Sequence, residues 1–173
     1  SGNLTELQSE QTAGLLCVSN NIVRIAERCD EIDKSYENLK SKGYKLSNEA
    51  INEVKECMEL SGKLFEEAIE AVATGDDKVI DKMTRDKNKI RKKNRQCSKA
   101  HFGRVKNKKC SKAMSGDYTE ILQNIGRITD NCVGIAEEAM DNVKFMTLNA
   151  EEMEQYGNVI DFSQAKQVEG TEV

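Results

Sequence analysis

Proline and tryptophan are absent from this chain of 173 residues, aromatic residues make up only 5% of it, and histidine occurs once. Hydrophobic residues account for 38% and charged residues for 32%, a balance typical of long-helix proteins and not of β-sandwiches or barrels. The length is sufficient for one domain with a substantial core. The composition therefore predicts an all-α fold.

Long apolar runs are also missing. No stretch of 18 apolar residues occurs, which argues against a membrane-spanning helix, and no amino-terminal segment has the charged-then-apolar pattern of a signal peptide. We expect the chain to be soluble as given. Because it begins at Ser1 without methionine, we also expect a tag remnant on a piece excised from a larger protein.

Residue patterns for common catalytic chemistry are not present. The single histidine, His101, lies in a basic helical segment with no carboxylate one turn away, which argues against a Ser-His-Asp triad. No GxGxxG or GxxxxGK[ST] phosphate loop occurs, and no HExxH or EF-hand spacing. The sequence predicts neither an enzyme nor a bound cofactor. His101 is expected on a helix face, either solvated or turned inward beside a polar partner.

The six cysteines are widely spaced and form no CxxC pair. With only one histidine to join them, they do not match a structural zinc site. Most are expected to be small buried hydrophobic residues of a reduced cytosolic protein. They are Cys17, Cys29, Cys57, Cys97, Cys110 and Cys132.

Apolar residues recur at steps of three and four along the first forty residues, a heptad pattern that predicts one straight helix from about Thr5 to Lys42. At 1.5 Å per residue this helix would be roughly 55 Å long, and Gly43 suits a left-handed cap at its end. The apolar stripe comprises Leu15, Val18, Ile22, Ile25, Cys29, Ile32, Tyr36 and Leu39.

Three more long helices are predicted after the first. Ser47 suits the N-cap of the second, and the two acids at 76 and 77 favour the start of the third through the helix dipole. Short connections imply antiparallel neighbours, so the predicted architecture is an antiparallel bundle of four long helices. The second helix is expected to end at Thr74-Gly75, the third to stop near Cys110 and the fourth to start at Ser115, with periodicity lost after about Phe145.

Positive charge is concentrated in the third helix. The range 82–109 holds thirteen lysines and arginines and one acid, Asp86, although the whole chain has a net charge of −4. Glutamates of the second helix lie beside it, so mutual neutralisation is the simplest interpretation. A weak contact of this basic helix with an anionic membrane surface stays open. Nucleic-acid binding is not expected, because Phe102 is the only aromatic residue in the run.

The fourth helix resembles a known family. After Ser115-Gly116-Asp117-Tyr118, the segment EILQNIGRITDNCVGIAEE resembles the last helix of PhoU-like domains. His101 and Arg104 resemble a His-x-x-Arg step in the helix before it, and Glu53 lies in a segment similar to the start of the preceding helix. The matching positions of the last helix are Arg127, Ile128, Asp130, Ile135, Ala136 and Glu137.

The resemblance implies a division of the chain. Residues 1–45 look like the closing helix of an upstream PhoU-like repeat, 46–145 look like one complete three-helix repeat, and 146–173 would be a loose carboxyl-terminal tail. Similar domains form the cytosolic carboxyl end of bacterial sodium-dependent phosphate cotransporters. The resemblance therefore implies a regulatory domain at the cytosolic face of the plasma membrane. It would modulate phosphate transport by conformational or protein contacts with the membrane part of its own transporter or with a signalling protein.

Members of this family can bind metal clusters through acidic-x-x-x-Asp pairs, because carboxylates at i and i+4 share a helix face. Here the three matching pairs are Leu16 with Asn20, Lys87 with Arg91, and Gly126 with Asp130. One carboxylate in six positions, with two cations nearby, predicts that no metal is bound. Lys87 is instead expected to form a salt bridge with Asp130 or Glu137. The expected polar cluster for structure or interaction comprises Lys87, Arg127, Asp130 and Glu137.

The first helix would have packed on two upstream helices that this chain lacks. Its apolar stripe would be exposed in a monomer, which is unfavourable for a soluble protein. We therefore expect a homodimer through Leu15, Val18, Ile22, Ile25, Ile32 and Leu39.

Two alternatives to the cotransporter domain remain. One is a structural helical adaptor or dimerisation module unrelated to phosphate. The other is a standalone metal-dependent phosphate regulator, against which the lost carboxylates argue.

Overall fold

The computed structural model describes residues 6–143, which form helices and short connections, with no strand in that range. Four long helices follow one another: α1 (Glu6–Ser41), α2 (Asn48–Thr74), α3 (Asp77–Lys106) and α4 (Ser115–Glu138). A short 3-10 turn, Lys112–Met114, precedes α4, and a π-helical turn, Ala139–Val143, follows it. The predicted all-α bundle of four long helices is confirmed. The predicted tail, 146–173, lies outside the described residues.

Local sequence determines most helix ends. The Ser47 side chain accepts a hydrogen bond from the amide of Ala50 and caps α2. Gly75 ends α2 in the left-handed conformation, with φ of 64°, where a residue with a Cβ is strained. The Asp76 carboxylate accepts from the amide of Lys78 and caps α3. Ser47, Gly75 and Asp76 therefore define these helix ends, either by a side-chain hydrogen bond to the backbone or by backbone conformation.

The end of α3 differs from the prediction. The helix ends at Lys106 instead of near Cys110, and the amide of Asn107 donates to the carbonyl of Gly103. Lys108 then adopts a positive φ of 58°, a conformation that is costly for a residue with a side chain. No glycine or proline marks this point, and the basic sequence continues past it. The sequence therefore does not indicate that the helix ends here.

The core lies between α2, α3 and α4, which all contact one another, whereas α1 packs chiefly on α4. Contacts early in one helix and late in the other show that three helix pairs are antiparallel: α2 with α3, α3 with α4, and α1 with α4. The largest fully buried residues come from all four helices and include Leu39, Leu64, Ile90, Tyr118 and Ile125. No helix within residues 6–143 combines the length and apolar content needed to cross a bilayer.

The expectation that the whole apolar stripe of α1 would be exposed in a monomer is wrong. Val18 and Leu39 are buried within the chain, and Ile25 and Ile32 pack partly against the core. Packing of α1 on α4 supplies the cover that upstream helices were thought necessary to provide. Ile22 remains exposed. Two other apolar residues of α1 are also exposed: Val23, next to it in sequence, and Leu16, six residues earlier.

Polar contacts fix the position of α1 along α4. The Asn38 amide donates to Asp117 at 2.6 Å, and the Asn131 amide donates to Asn21 at 3.0 Å, seventeen residues earlier on α1. At Gly134 an added Cβ would lie only 3.2 Å from the Asn21 amide oxygen, so the small residue permits this close approach.

Only half of the cysteines are buried. Cys57, Cys97 and Cys132 lie in the core, Cys110 is half-buried, and Cys17 and Cys29 are exposed on α1. The expectation that most would be buried is therefore too broad. Burial raises the pKa of Cys57 and of Cys132 to about 12, so the thiol form dominates at neutral pH.

Candidate functional site

A cluster of opposite charges joins α3 to α4 at the positions singled out in the sequence. Lys87 Nζ lies 3.3 Å and Arg91 Nη2 lies 2.9 Å from the same Asp130 oxygen. The two cations are one helical turn apart on α3, so both side chains reach one carboxylate on the neighbouring helix. The structure thus places Lys87 against Asp130, the first of its two expected partners.

This charge cluster lies near the protein surface. The side chains of Arg91 and Asp130 are about half exposed, whereas that of Lys87 is 22% exposed. Exposed ion pairs contribute about 0–1 kcal/mol to stability, because water screens them. Two cations share one carboxylate, so the cluster keeps an excess of positive charge that a partner could contact.

The two other polar residues expected in this cluster lie elsewhere. Arg127 turns along its own helix, where it pairs with Glu120 at 3.3 Å and donates to the Asn124 side-chain oxygen at 3.2 Å. Glu137 is exposed and forms no ion pair among residues 6–143. It lies seven residues beyond Asp130, about 10 Å along the helix axis. Lys87 and Asp130 therefore come together, and Arg127 and Glu137 do not join them.

The residues at the family's metal positions do not fit a metal cluster. The one carboxylate, Asp130, forms ion pairs with Lys87 and Arg91. These two cations would repel a metal ion placed beside the same carboxylate. Gly126 has no donor side chain and faces Asn94. Within the range that the structure describes, no three His, Cys, Asp or Glu residues are grouped to hold an ion.

A second polar network is buried between α2, α3 and α4. Both Arg104 Nη atoms donate to the two Glu53 oxygens at 2.8 Å, and the Tyr118 hydroxyl donates to the same carboxylate at 2.6 Å. Burial raises the pKa of the Glu53 carboxyl, but the hydrogen bonds from Arg104 and Tyr118 outweigh burial, so the pKa lies below its usual value. Glu53 is therefore ionised and links three helices at neutral pH.

His101 belongs to the same region and points inward. It is 1% exposed, its ring stacks on Tyr118 with centroids 4.6 Å apart, and Nε2 lies 3.0 Å from Ser115 Oγ. Burial, aided by the charge of Arg104, lowers the pKa of this histidine, so the ring is neutral at pH 7. The inward alternative for His101 is confirmed, with Ser115 as its polar partner.

The His101–Ser115 contact is not arranged for catalysis. No carboxylate hydrogen-bonds to the ring within the described residues, because Glu53 is engaged by Arg104 and Tyr118. The other ring nitrogen lies 3.9 Å from the Cys110 sulfur. A histidine without access to solvent cannot exchange protons with a substrate. The contact instead holds the end of α3 to the start of α4.

An open depression adjoins this network where α2 starts and α3 ends. Its volume is about 490 Å³, and its charged lining consists of Glu49, Arg104 and Lys109. Arg104 is committed to Glu53, and Glu49 balances Lys109, so no single sign of charge dominates. The depression has no set of convergent free donors of the kind that binds a small ligand.

Sequence reasoning singled out His101, Arg104 and Glu53 as family-like positions but did not predict that they meet. Tyr118 belongs to the segment that opens the family-like last helix, and the sequence predicts no partner for its hydroxyl. A signal was available, since a buried arginine requires a carboxylate partner, and Glu53 is, after Glu49, the second acid from the start of α2. The spacing of residues along the sequence does not determine which glutamate of α2 pairs with Arg104.

Residues 54–139 match the family described as the PhoU domain. The matched range covers most of α2, all of α3 and all of α4, and therefore both polar clusters except Glu53. It leaves out α1, so the assignment of α1 to an upstream repeat stays a prediction. No curated protein and no solved structure matches the chain.

Proposed function

We propose that the chain regulates phosphate handling through contacts with another protein. Residues 54–139 match the PhoU domain family, which is a regulatory and non-enzymatic family associated with phosphate homeostasis. Specifically, the chain would be the cytosolic regulatory domain of a sodium-dependent phosphate cotransporter. It would bias the membrane part of its own transporter, or a signalling protein, without making or breaking covalent bonds.

One observation carries this proposal: Lys87 and Arg91 share Asp130 at the positions where the family places metal-binding acids. Cations therefore stand against Asp130 where a bridging ion would otherwise lie. The shared apolar core holds α3 to α4 without a metal, which suits a permanent domain of a larger protein better than a metal-dependent regulator.

The complete reading frame provides the first test. Several apolar spans of about 20 residues followed by two further amphipathic helices would support the cotransporter assignment, whereas an upstream soluble domain would refute it. The second test is sodium-dependent phosphate uptake by the complete protein in vesicles, with and without residues 46–143. Unchanged uptake and unchanged response to external phosphate after the deletion would refute a regulatory role.

A structural adaptor that dimerises is the second candidate, and the exposed apolar residues of α1 favour it. Leu16 and Val23 are 61% and 56% exposed, and Ile22 is 38% exposed. We propose a homodimer that uses Ile22 and its exposed neighbours. Of the residues first expected at such an interface, Val18 and Leu39 are buried inside the chain and are not available to it.

Light scattering at micromolar concentration tests the dimer. The unmodified chain is expected to have twice the monomer mass, and Ile22→Asp is expected to give the monomer while circular dichroism stays unchanged. Lys34→Asp, also on α1 and exposed, is the control and should leave the mass unaltered. A monomer mass for the unmodified chain would contradict the proposal.

A further inference from the structure

The cations of α3 divide into two groups with different surroundings. Six of the thirteen in the range 82–109 lie within 4 Å of an acid: three reach glutamates of α2, two share Asp130 and one pairs with Asp86 on the same helix. The expected neutralisation therefore occurs, but only on the flanks of the helix. The six paired cations are Lys82, Lys87, Lys89, Arg91, Lys93 and Arg104.

The five remaining cations of α3 between 82 and 106 form a continuous outer stripe. They are exposed and have no ion pair among residues 6–143, and four of them recur at intervals of seven. Seven residues correspond to two helical turns, so these side chains lie on one line along the helix, about 32 Å from end to end. The outer stripe comprises Arg85, Lys92, Arg95, Lys99 and Lys106, with Phe102 among them.

The outer stripe lies opposite the buried face of α3. Met83, Ile90 and Cys97, which point into the core, are buried, and each is about half a turn away from the stripe around the helix. Between Arg85 and Lys106 the one acid of α3 is Asp86, which pairs with Lys89 on the flank. Nothing on this face of the helix therefore offsets its positive charge.

Phe102 distinguishes the stripe from an ordinary solvated face. Its side chain is 57% exposed in the middle of the cationic half of α3, where no packing requires an aromatic ring. An aromatic ring flanked by lysines and arginines is the combination that peripheral proteins present to the boundary between lipid headgroups and acyl chains.

We propose that the outer stripe of α3 docks on an anionic lipid bilayer. A flat bilayer can contact a straight row of charges along its full length without shape complementarity, and each basic residue near the surface contributes about 1 kcal/mol. The chain as a whole is acidic, so the positively charged stripe is favoured to face such a surface, and docking is oriented. The inference does not depend on the cotransporter assignment.

Docking of this kind is peripheral. The apolar face of α3 is buried in the core, so it could insert into the bilayer only if the bundle unfolded. Phe102 would enter the headgroup region and the lysines would remain at its surface. Binding is therefore expected to be reversible and strongly salt-dependent, since exposed charges are screened over about 10 Å at 0.1 M ionic strength.

The absence of tryptophan permits a direct test with the full chain. In Phe102→Trp the single indole should shift its emission to shorter wavelength when vesicles of phosphatidylcholine with about 30 mol% phosphatidylglycerol are added, and not with phosphatidylcholine alone. Lys34→Trp, an exposed position on α1 outside the proposed dimer surface, is the matched reporter and should show no shift. A shift in both reporters, or in neither, would overturn the proposal.

Charge reversal gives an independent measurement. Vesicle sedimentation of Lys92→Glu/Lys99→Glu should show partitioning reduced by about thirty-fold or more, since two favourable contributions of the size given above are lost. Lys55→Glu/Lys63→Glu changes the charge equally on α2, at two exposed positions without ion pairs in the described range, and should retain binding. Equal losses in both variants would contradict a specific stripe. Binding to soluble polyglutamate or heparin but not to vesicles would contradict the lipid assignment.

Discussion

Replacing Glu53 by glutamine perturbs the buried network at its centre while nearly preserving side-chain shape. The carboxylate accepts two hydrogen bonds from Arg104 and one from Tyr118. The Arg104 and Glu53 side chains are only 14% and 19% exposed. Removing one partner of a buried ion pair costs about 3–5 kcal/mol. Because glutamine can still accept hydrogen bonds and some solvent reaches the pair, we expect Glu53→Gln to lose about 2–3 kcal/mol of unfolding free energy.

Urea denaturation followed by circular dichroism measures this loss, and Glu56→Gln supplies the matched control. Glu56 lies one turn further along α2 and pairs with Lys93, but its side chain is 56% exposed. An exposed pair is worth about 0–1 kcal/mol. If both variants lost the same amount, burial would not determine the strength of these pairs, and the assignment of Glu53 as the central link would be refuted.

The pH dependence of the Glu53 effect has a defined sign. The pKa of Glu53 is lower in the folded chain than its usual value, because the hydrogen bonds from Arg104 and Tyr118 outweigh the opposing effect of burial. Its stabilising contribution is therefore complete above the unfolded pKa of about 4.3 and disappears as the pH falls through the folded value. The difference between wild type and Glu53→Gln should be constant from pH 7 to about pH 5 and should shrink below pH 4.3.

Three further outcomes are expected. Gly75→Ala should lower the unfolding free energy by about 1 kcal/mol in urea denaturation, since φ is 64° there; no loss would mean that α2 ends differently. Asp130→Asn should cost less than about 1 kcal/mol in the same assay because its side chain is half exposed, and a loss of several kcal/mol would contradict that. Native labelling at pH 8 with a maleimide should leave Cys57 and Cys132 unmodified because both are buried and their thiol pKa values are raised to about 12; mass spectrometry showing rapid modification of either would refute this.

Much of the fold follows from local sequence. Ser47 and Gly75 mark helix ends through side-chain or backbone chemistry that acts within a few residues, so their positions could be read directly. The end of α3 could not, because Asn107 and Lys108 close it by a conformation that neither residue type announces. The type and number of helices can therefore be predicted from the sequence more readily than the length of each helix.

The ion pairs within the candidate site are harder to predict from the sequence. The spacing of Lys87 and Arg91 shows that both lie on one helix face, but only the rotation of α3 against α4 brings them to Asp130. The same rotation leaves Glu137 in solvent. The family resemblance identified the positions of the cluster. Which of these residues form ion pairs depends on tertiary packing, which in turn depends on all core residues together.

The position of α1 on α4 has a mechanical consequence. Sliding α1 by one helical turn, about 5.4 Å, would separate Asn21 from Asn131 and Asn38 from Asp117 together, and it would also move Asn21 out of the recess at Gly134. A pull along the axis of α1 would therefore strain both hydrogen-bonded pairs at the same time, instead of breaking them one after the other.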